Sequence, residues 1–379
     1  MKIIQISRRF LPSIGGIENV MYGLNKALHQ KGYASETLTL RSLPNSRESD
    51  DVSCIDGIKV HRLPYIGSIR YPIAPAVISW VNSYDILHIH AIDFFIDFLS
   101  LTRPLHQKPI VVNTHGGIFH TQWLFPLKQF YFKTFTRLSL RGADAVVCVS
   151  QHDYDLFRTI VPSHKLHIIS NGVNVEPFLA IKKQIVPGLL LGIGRVVENK
   201  RIEKLIGLLP ALEKDFPDVR LVWVGNDAEE RIPQLLEYAQ QLGVESRVRF
   251  MGQIPDTEVR DLLSQAHLFV SAASYEAFGI STIEAMSSAT VPIVSPVGIH
   301  PEVVKEGLTG FICNFEDEQT VDCFRHALSL DHNQISQIGQ NARAAAEQFS
   351  WFNIVNSYLD IYQSVLKKNS KFTECSEYA

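Results

Sequence analysis

Residues 2–33 read KIIQISRRFLPSIGGIENVMYGLNKALHQKGY, and they set the pattern for the whole chain. A short apolar run, KIIQIS, leads through the turn at Gly15-Gly16 into a stretch with helical periodicity up to Tyr33. A strand that is apolar throughout suits a parallel sheet covered on both faces. ETLTL, DILHIH, PIVVNTHG, ADAVVCVS and KLHIIS continue the alternation through the first half. LLLGIGR, RLVWVGN, RVRFMGQI, HLFVSAAS, VPIVSP and GFIC restart it in the second, with helical segments between. Two strand–helix series in a row predict two doubly wound α/β domains. Periodicity lapses in NGVNVEPFLAIKKQIVPG, residues 171–188, so the expected boundaries are 1–180 and 181–355. Residues 356–379 are expected to form a closing helix that returns toward the first domain, with a frayed tail from Lys367.

Composition narrows the class. The 379 residues are 46% hydrophobic and 20% charged, ordinary values for a soluble chain. The most apolar segment, ILHIHAIDFFIDFLSL, carries two aspartates and two histidines, too polar a stretch to cross a bilayer. MKIIQISRRF has no signal-peptide pattern, which makes the cytoplasm the expected location. Cys54, Cys148, Cys313, Cys323 and Cys375 are scattered, which argues against a disulfide framework and a zinc site. The net charge of −3 divides into +5 for residues 1–180 (18 basic, 13 acidic) and −8 for the remainder (18 basic, 26 acidic). A basic first half suits an anionic partner such as a phosphate or a membrane surface.

In doubly wound sheets ligands bind beyond the carboxyl ends of the strands, so the residues that follow strands carry the chemistry. Gly15-Gly16 opens a helix after the first strand, and its backbone N–H groups can face an anion or merely make a tight turn. His115 precedes two glycines at the end of another strand, while His88 and His90 alternate with apolar residues and read as core. In GRVVENKR, Arg195 and Lys200 sit near a helix start, where two cations suit a diphosphate or simply meet solvent. In QIPDTEV, Asp256 reads as an N-cap, and the backbone of Gln253 and Ile254 could read a base edge. Asp153-Tyr154-Asp155 matches a DxD metal pattern but falls at a helix start, where aspartates favour the dipole.

SYEAFGISTIEAM, residues 274–286, is the richest of these stretches. Its strand is expected to end near Ser274, putting Glu276 in the loop. The following helix is expected to begin near Ser281, leaving the N–H groups of Phe278, Gly279 and Ile280 open. Carboxylates beside backbone donors are what sugar hydroxyls need, since each hydroxyl both donates and accepts. Ser281-Thr-Ile-Glu284 is also a capping-box pattern, which would tie Glu284 back to the helix start. A polyol clamp next to a diphosphate clamp describes a site for a nucleotide sugar.

These residues, taken in order, resemble the retaining glycosyltransferases of family 4, which have the GT-B fold of two Rossmann-like domains facing each other across a cleft. The Gly-Gly loop, THG, NGV, GRVVENK, FMGQI and then EAFGISTIE, which looks like that family's Glu-x7-Glu motif, span nearly the whole chain. Asn174 departs from the family's usual aspartate after NGV. The first half further resembles bacterial exopolysaccharide enzymes, among them the mannosyltransferase of xanthan assembly and the heterocyst envelope polysaccharide glycosyltransferase. The resemblance implies that Glu276 and the amides of Phe278 and Gly279 hold the donor hexose, that Ile280 lies beside them, and that Glu284 binds the ribose. It implies that Arg195 and Lys200 neutralise the departing diphosphate in place of a metal, that Gly15 and Gly16 approach the distal phosphate, and that His115 touches the sugar. It implies no cofactor, a nucleotide sugar as substrate with UDP or GDP as product, a lipid-linked oligosaccharide acceptor, and no nucleic acid. UDP-glucose is the favoured donor and GDP-mannose the alternative; a nucleotide-sugar epimerase and a non-catalytic glycan-binding module are readings of another class. Finally, LKQFYFKTFTRLSLR puts Lys133, Arg137 and Arg141 on one stripe and Phe125, Tyr131, Phe132, Phe135 and Leu138 on the opposite face. Such a helix packs on the sheet or lies at the inner face of the cytoplasmic membrane.

Overall fold

The computed structural model describes residues 1–13, 15–41, 52–68, 71–116, 129–276, 278–316 and 319–376, with side chains described as far as residue 369. Gly117, Phe125 and Ala277 lie outside the described residues. The chain divides into two compact units, Met1–Gly172 with Trp351–Ala379, and Val173–Ser350.

The first unit is built on an eight-stranded sheet. Its strands are β1 (Lys2–Ile6), β2 (Ala34–Leu40), β3 (Val52–Ile55), β4 (Ile58–Leu63), β7 (Ile86–His90), β8 (Ile110–Asn113), β9 (Ala145–Cys148) and β10 (Leu166–Ile168), with a separate hairpin of β5 (Ile66–Ser68) and β6 (Tyr71–Ile73). The sheet order is β10-β9-β8-β7-β1-β2-β4-β3. All pairs are parallel except β3 with β4. Burial of every residue of β7, β8 and β9 explains their unbroken apolar sequences, with only His88, His90 and Asn113 as polar exceptions. Helix Gly16–Gln30 runs from β1 to β2, beginning at the Gly-Gly turn. Helix Trp351–Ser376 also belongs to this unit and continues past Lys367, where fraying was expected, as far as Ser376.

The second unit holds a wholly parallel sheet of β11 (Leu189–Ile193), β12 (Arg220–Val224), β13 (Val248–Phe250), β14 (Leu268–Ser271), β15 (Val291–Val294) and β16 (Phe311–Ile312), in the order β13-β12-β11-β14-β15-β16. Trp223 is one of its largest buried side chains, and its indole N–H donates to the Gly194 carbonyl (2.8 Å). A side chain at Gly192 on the neighbouring strand would come within 2.2 Å of that indole, so the glycine makes room for the tryptophan.

In each sheet one strand pair marks where the order reverses: β1 with β7 in the first unit, β11 with β14 in the second. Such switch points open a crevice at the carboxyl ends of the strands.

Candidate active site

Loops 194–200 and 272–279 leave β11 and β14 in opposite directions and flank the switch point of the second unit. They are laced together. Ser274 N–H donates to the Asn199 carbonyl (2.8 Å), the Asn199 amide to the Tyr275 carbonyl (2.9 Å), and Arg201 Nε to the Ala272 carbonyl (2.6 Å). This lacing delivers Lys200 to Glu276, Nζ to Oε2 at 2.5 Å, with both side chains largely buried. Burial alone would raise the Glu276 carboxyl, but the Lys200 charge and hydrogen bond hold it below the ordinary carboxylate range, with His300 and Arg195 adding to the effect. The glutamate is therefore ionised at neutral pH. Arg195 itself is exposed at the end of β11.

Gly279 stands at the turn into helix Ile280–Ser287 with φ +114°, a conformation open to glycine. A side chain there would meet His300 Nε2 at 2.9 Å. Among the described residues the N–H groups of Phe278, Gly279 and Ile280 donate to no protein acceptor, so three unengaged donors lie close in sequence to an ionised carboxylate. His300 supports this corner from below: its Nδ1–H donates to the Ser295 carbonyl (2.8 Å), leaving Nε2 to accept from the Thr282 hydroxyl (2.9 Å). Burial keeps His300 below its ordinary pKa and hence neutral.

Three local expectations are corrected here. The strand ends at Ser271, not near Ser274, because the loop's hydrogen bonds go to Asn199. The capping box does not form: Gly279 is the N-cap, no side chain caps the helix, and Glu284 lies on its second turn. Burial, with Asp256 adding repulsion, pushes the Glu284 carboxyl up to about 8, so it is a proton-bearing group at neutral pH that can donate as well as accept. Asp256 is not an N-cap either; Pro255 takes that place, and Asp256 opens the helix Asp256–Gln265 with no capping bond. Gln253 is exposed and Ile254 half-buried in the loop just before that helix.

In the first unit, β7 and β8 bring His88, His90 and His115 into one file, with ring centroids 4.3 and 5.2 Å apart. All three lie below their ordinary pKa through burial, His88 at about 3 and His115 at about 4, so all are neutral. His90 Nε2–H donates to Gln5 Oε1 (2.6 Å), which leaves its Nδ1 to accept from His115 Nε2–H (2.9 Å). His115 therefore keeps a bare Nδ1. Tyr362 donates to His88 Nδ1 (2.7 Å), and Asn113 donates to the Tyr358 hydroxyl (2.8 Å), so the C-terminal helix closes the back of the file. At the other strand of this switch point, Gly16 is open while the carboxylate of Glu18 lies over Gly15, so an anion already occupies that approach. The aspartates of the DxD pattern have structural roles: Asp153 is buried and accepts from Thr114 and the Val149 N–H, and Asp155 pairs with Arg158.

The family profile described as "Glycosyl transferases group 1" matches residues 181–345, and that described as "Glycosyltransferase Family 4" matches residues 14–177. The GDP-mannose:cellobiosyl-diphosphopolyprenol alpha-mannosyltransferase of Xanthomonas oryzae pv. oryzae is 34% identical over 373 residues, 97% of each chain. The chain belongs to the family 4 glycosyltransferases. The enzyme of the same description from Komagataeibacter xylinus is 32% identical over 97% of this glycosyltransferase and 94% of its own length. Anabaena HepE, solved in complex with UDP-glucose, superposes with a TM-score of 0.78 at 19% identity, covering 96% of this chain and 100% of its own. Sucrose-phosphate synthase from Thermosynechococcus elongatus gives 0.77 at 21%, over 97% and 99%. At such identities the likeness is one of fold, and that fold is GT-B.

Four residues that shape these sites carried no readable signal in the sequence of this glycosyltransferase. His300, Asn199 and Arg201 act through contacts with loops distant in sequence, and Gln5 sits inside an apolar strand. The helix at 129–141 is also corrected. Its buried face is Phe132, Thr136, Ser139 and Leu140, while Phe135 and Leu138 are exposed together with Lys133, Arg137 and Arg141. Two hydroxyl residues take the inner face, and Ser139 finds a partner there in Asp97. Among the described residues no helix is long and apolar enough to cross a membrane.

Proposed function

We propose that this glycosyltransferase transfers a mannosyl residue from GDP-mannose to a saccharide carried on a polyprenyl diphosphate, with retention and without a required metal. The observation that carries the donor choice is the 34% identity to an alpha-mannosyltransferase of that description over 97% of both chains. HepE, at 19%, supports the fold alone, so UDP-glucose, the donor favoured from the sequence, has weaker support than its alternative.

The geometry of the second unit supports a sugar-diphosphate donor. Glu276, kept ionised by Lys200, accepts from hexose hydroxyls, while the open amides of Phe278, Gly279 and Ile280 donate to others. Lys200 has two further N–H donors, and the exposed Arg195 guanidinium has five, enough to neutralise a departing diphosphate. Glu284, carrying its proton, both donates to and accepts from a ribose diol. In this scheme Glu276 positions the sugar and stabilises developing positive charge, and a donor phosphate oxygen takes the acceptor's proton. His115 presents its bare Nδ1 as an acceptor to the sugar. A lipid-linked acceptor requires the enzyme to work peripherally at the inner face of the cytoplasmic membrane.

The test is transfer from radiolabelled GDP-mannose or UDP-glucose to a synthetic cellobiosyl-diphospholipid in EDTA, with the product digested by α-mannosidase. Labelled, α-mannosidase-sensitive product from GDP-mannose alone is expected. Product from UDP-glucose alone, or none without added metal, would refute the donor or the metal-free scheme respectively.

A further inference from the structure

Gln5, His90 and Asp153 lie far apart in sequence and converge on His115. The backbone of His115 is left-handed, φ +49°, and so is that of Gly116, φ +84°. A residue with a Cβ holds that conformation only where its surroundings impose it, and such positions gather at functional sites. Here Asp153 imposes it. Its Oδ2 accepts from the Thr114 hydroxyl and from the Val149 N–H (3.1 Å). Burial works against its charge, while these two bonds and the Gly116 N–H support it. The carboxylate thus grips the residue on each side of His115. Asp153 is itself fixed in the first turn of helix Gln151–Phe157, where its N–H donates to the Ser150 hydroxyl (3.3 Å). Thr114 is tied a second time, through its N–H to the Val147 carbonyl (3.0 Å).

The His115 ring is held from its other side. The Tyr362 hydroxyl gives its proton to His88 Nδ1 (2.7 Å) and turns only lone pairs toward Gln5, which draws the Gln5 amide nitrogen to that side. The amide oxygen is left for His90 Nε2–H (2.6 Å), and His90 Nδ1 is left for His115 Nε2–H (2.9 Å). One orientation at Gln5 therefore settles the tautomers of two histidines in turn. Gln5 and His90 are fully buried and His115 is half-buried, so the end of this chain that a ligand can reach is His115.

We propose that Gln5, His90 and Asp153 are positioning residues for transfer, which together present the Nδ1 lone pair of His115, in one tautomer and one orientation, to a sugar hydroxyl. None of the three touches the sugar. The nitrogen they present accepts a hydrogen bond and cannot give one, so it selects for a hydroxyl hydrogen at that point of the sugar. This role rests on the reading of His115 as a sugar contact and names what fixes that contact.

The experiment has two readouts on the full chain. The first is nitrogen NMR of histidine-labelled protein without donor or acceptor, the His115 signals being those lost in His115→Ala. A proton on Nε2 and none on Nδ1 is expected. Gln5→Leu should release His90 and let His115 populate its Nδ1–H form. His90→Leu should do the same, whereas His90→Asn, whose side-chain oxygen stands near where Nδ1 stood, should keep the Nε2–H form. An Nδ1–H tautomer in the wild type, or a tautomer indifferent to Gln5 and His90, would overturn the proposal.

The second readout is kcat/KM for transfer from GDP-mannose. His115→Ala should lower it about 10-fold, as expected for one lost hydrogen bond, and Thr114→Val, Asp153→Asn and His90→Leu should each come close to that loss. Added to His115→Ala, each should lower it by less than about twofold, because residues that act through one group do not add. Equal losses in both backgrounds would make these residues parts of the scaffold and overturn the proposal, as would unchanged transfer by His115→Ala. The tautomer is read without a donor, so a chain that takes another sugar nucleotide fails the transfer assay and leaves the first readout standing.

Discussion

The histidine file makes the first unit acid-labile, by an amount that can be worked out. His88 and His90 are fully buried in β7, and their electrostatic neighbours are other histidines, with no carboxylate to welcome a proton. Both have folded-state pKa values depressed below the ordinary 6.5, His88 to about 3. The unfolded chain therefore binds protons that the folded unit refuses, and stability falls as pH drops below 6.5. A group held as low as His88 costs about 1.4 kcal/mol per pH unit, which comes to about 3 kcal/mol at pH 4.5, and His90 adds to the loss in the same direction. That is a large share of the whole stability of many domains. The assay is urea unfolding at a series of pH values from 7.5 to 4.5, followed by hydrogen exchange of the peptide spanning Ile86–His90. The double variant His88→Asn, His90→Asn should lose some stability at pH 7.5, as Tyr362 and Gln5 lose partners, yet its slope below pH 6.5 should be shallower by at least about 1 kcal/mol per unit. Equal slopes for wild type and variant would refute the assignment of these histidines as neutral and unsupported.

Two further expectations concern the second unit. Gly279→Ala places a methyl group 2.9 Å from His300 Nε2 at φ +114°, and should cost about 2–3 kcal/mol, read as a lowered Tm, and weaken donor binding as the open amides shift. Lys200→Ala should weaken GDP and GDP-mannose alike by about 10- to 100-fold in calorimetric titration. Glu276→Gln, in contrast, should spare GDP and remove only the extra affinity contributed by the sugar.

Much of the fold could be read from the sequence because parallel strands buried on both faces leave unbroken apolar runs, as in Ile110–Asn113 and Leu268–Ser271. The antiparallel edge was missed, although Asp56-Gly57, with both residues at positive φ, joins β3 to β4 through a tight hairpin turn whose sequence is a recognised signal. Helix caps were misread because Ser281, Glu284 and Asp256 have the right chemistry for capping but stand in the wrong register, one residue or more inside their helices. On the helix at 129–141 the three cations are exposed and Phe132 is buried as expected, but Phe135 and Leu138 are exposed because Thr136 and Ser139 take the inner face, where Asp97 gives Ser139 a partner. At the site, Lys200 and Glu276 were visible as charged residues after strands, but their contact was not. It depends on Asn199 and Arg201 bonding to a loop more than 70 residues away, and no local pattern encodes that.

The first unit is discontinuous in sequence: Tyr358 and Tyr362, which cap the histidine file, lie after the whole of the second unit. Because a chain emerges from the ribosome N-terminus first, the second unit can close while the first still lacks its final helix. Until then, the polar cluster of β7 and β8 faces solvent on the side that helix will cover. The helix that starts at Trp351 thus decides when the first unit is finished, and a nascent chain arrested before Trp351 would hold one complete unit and one open one.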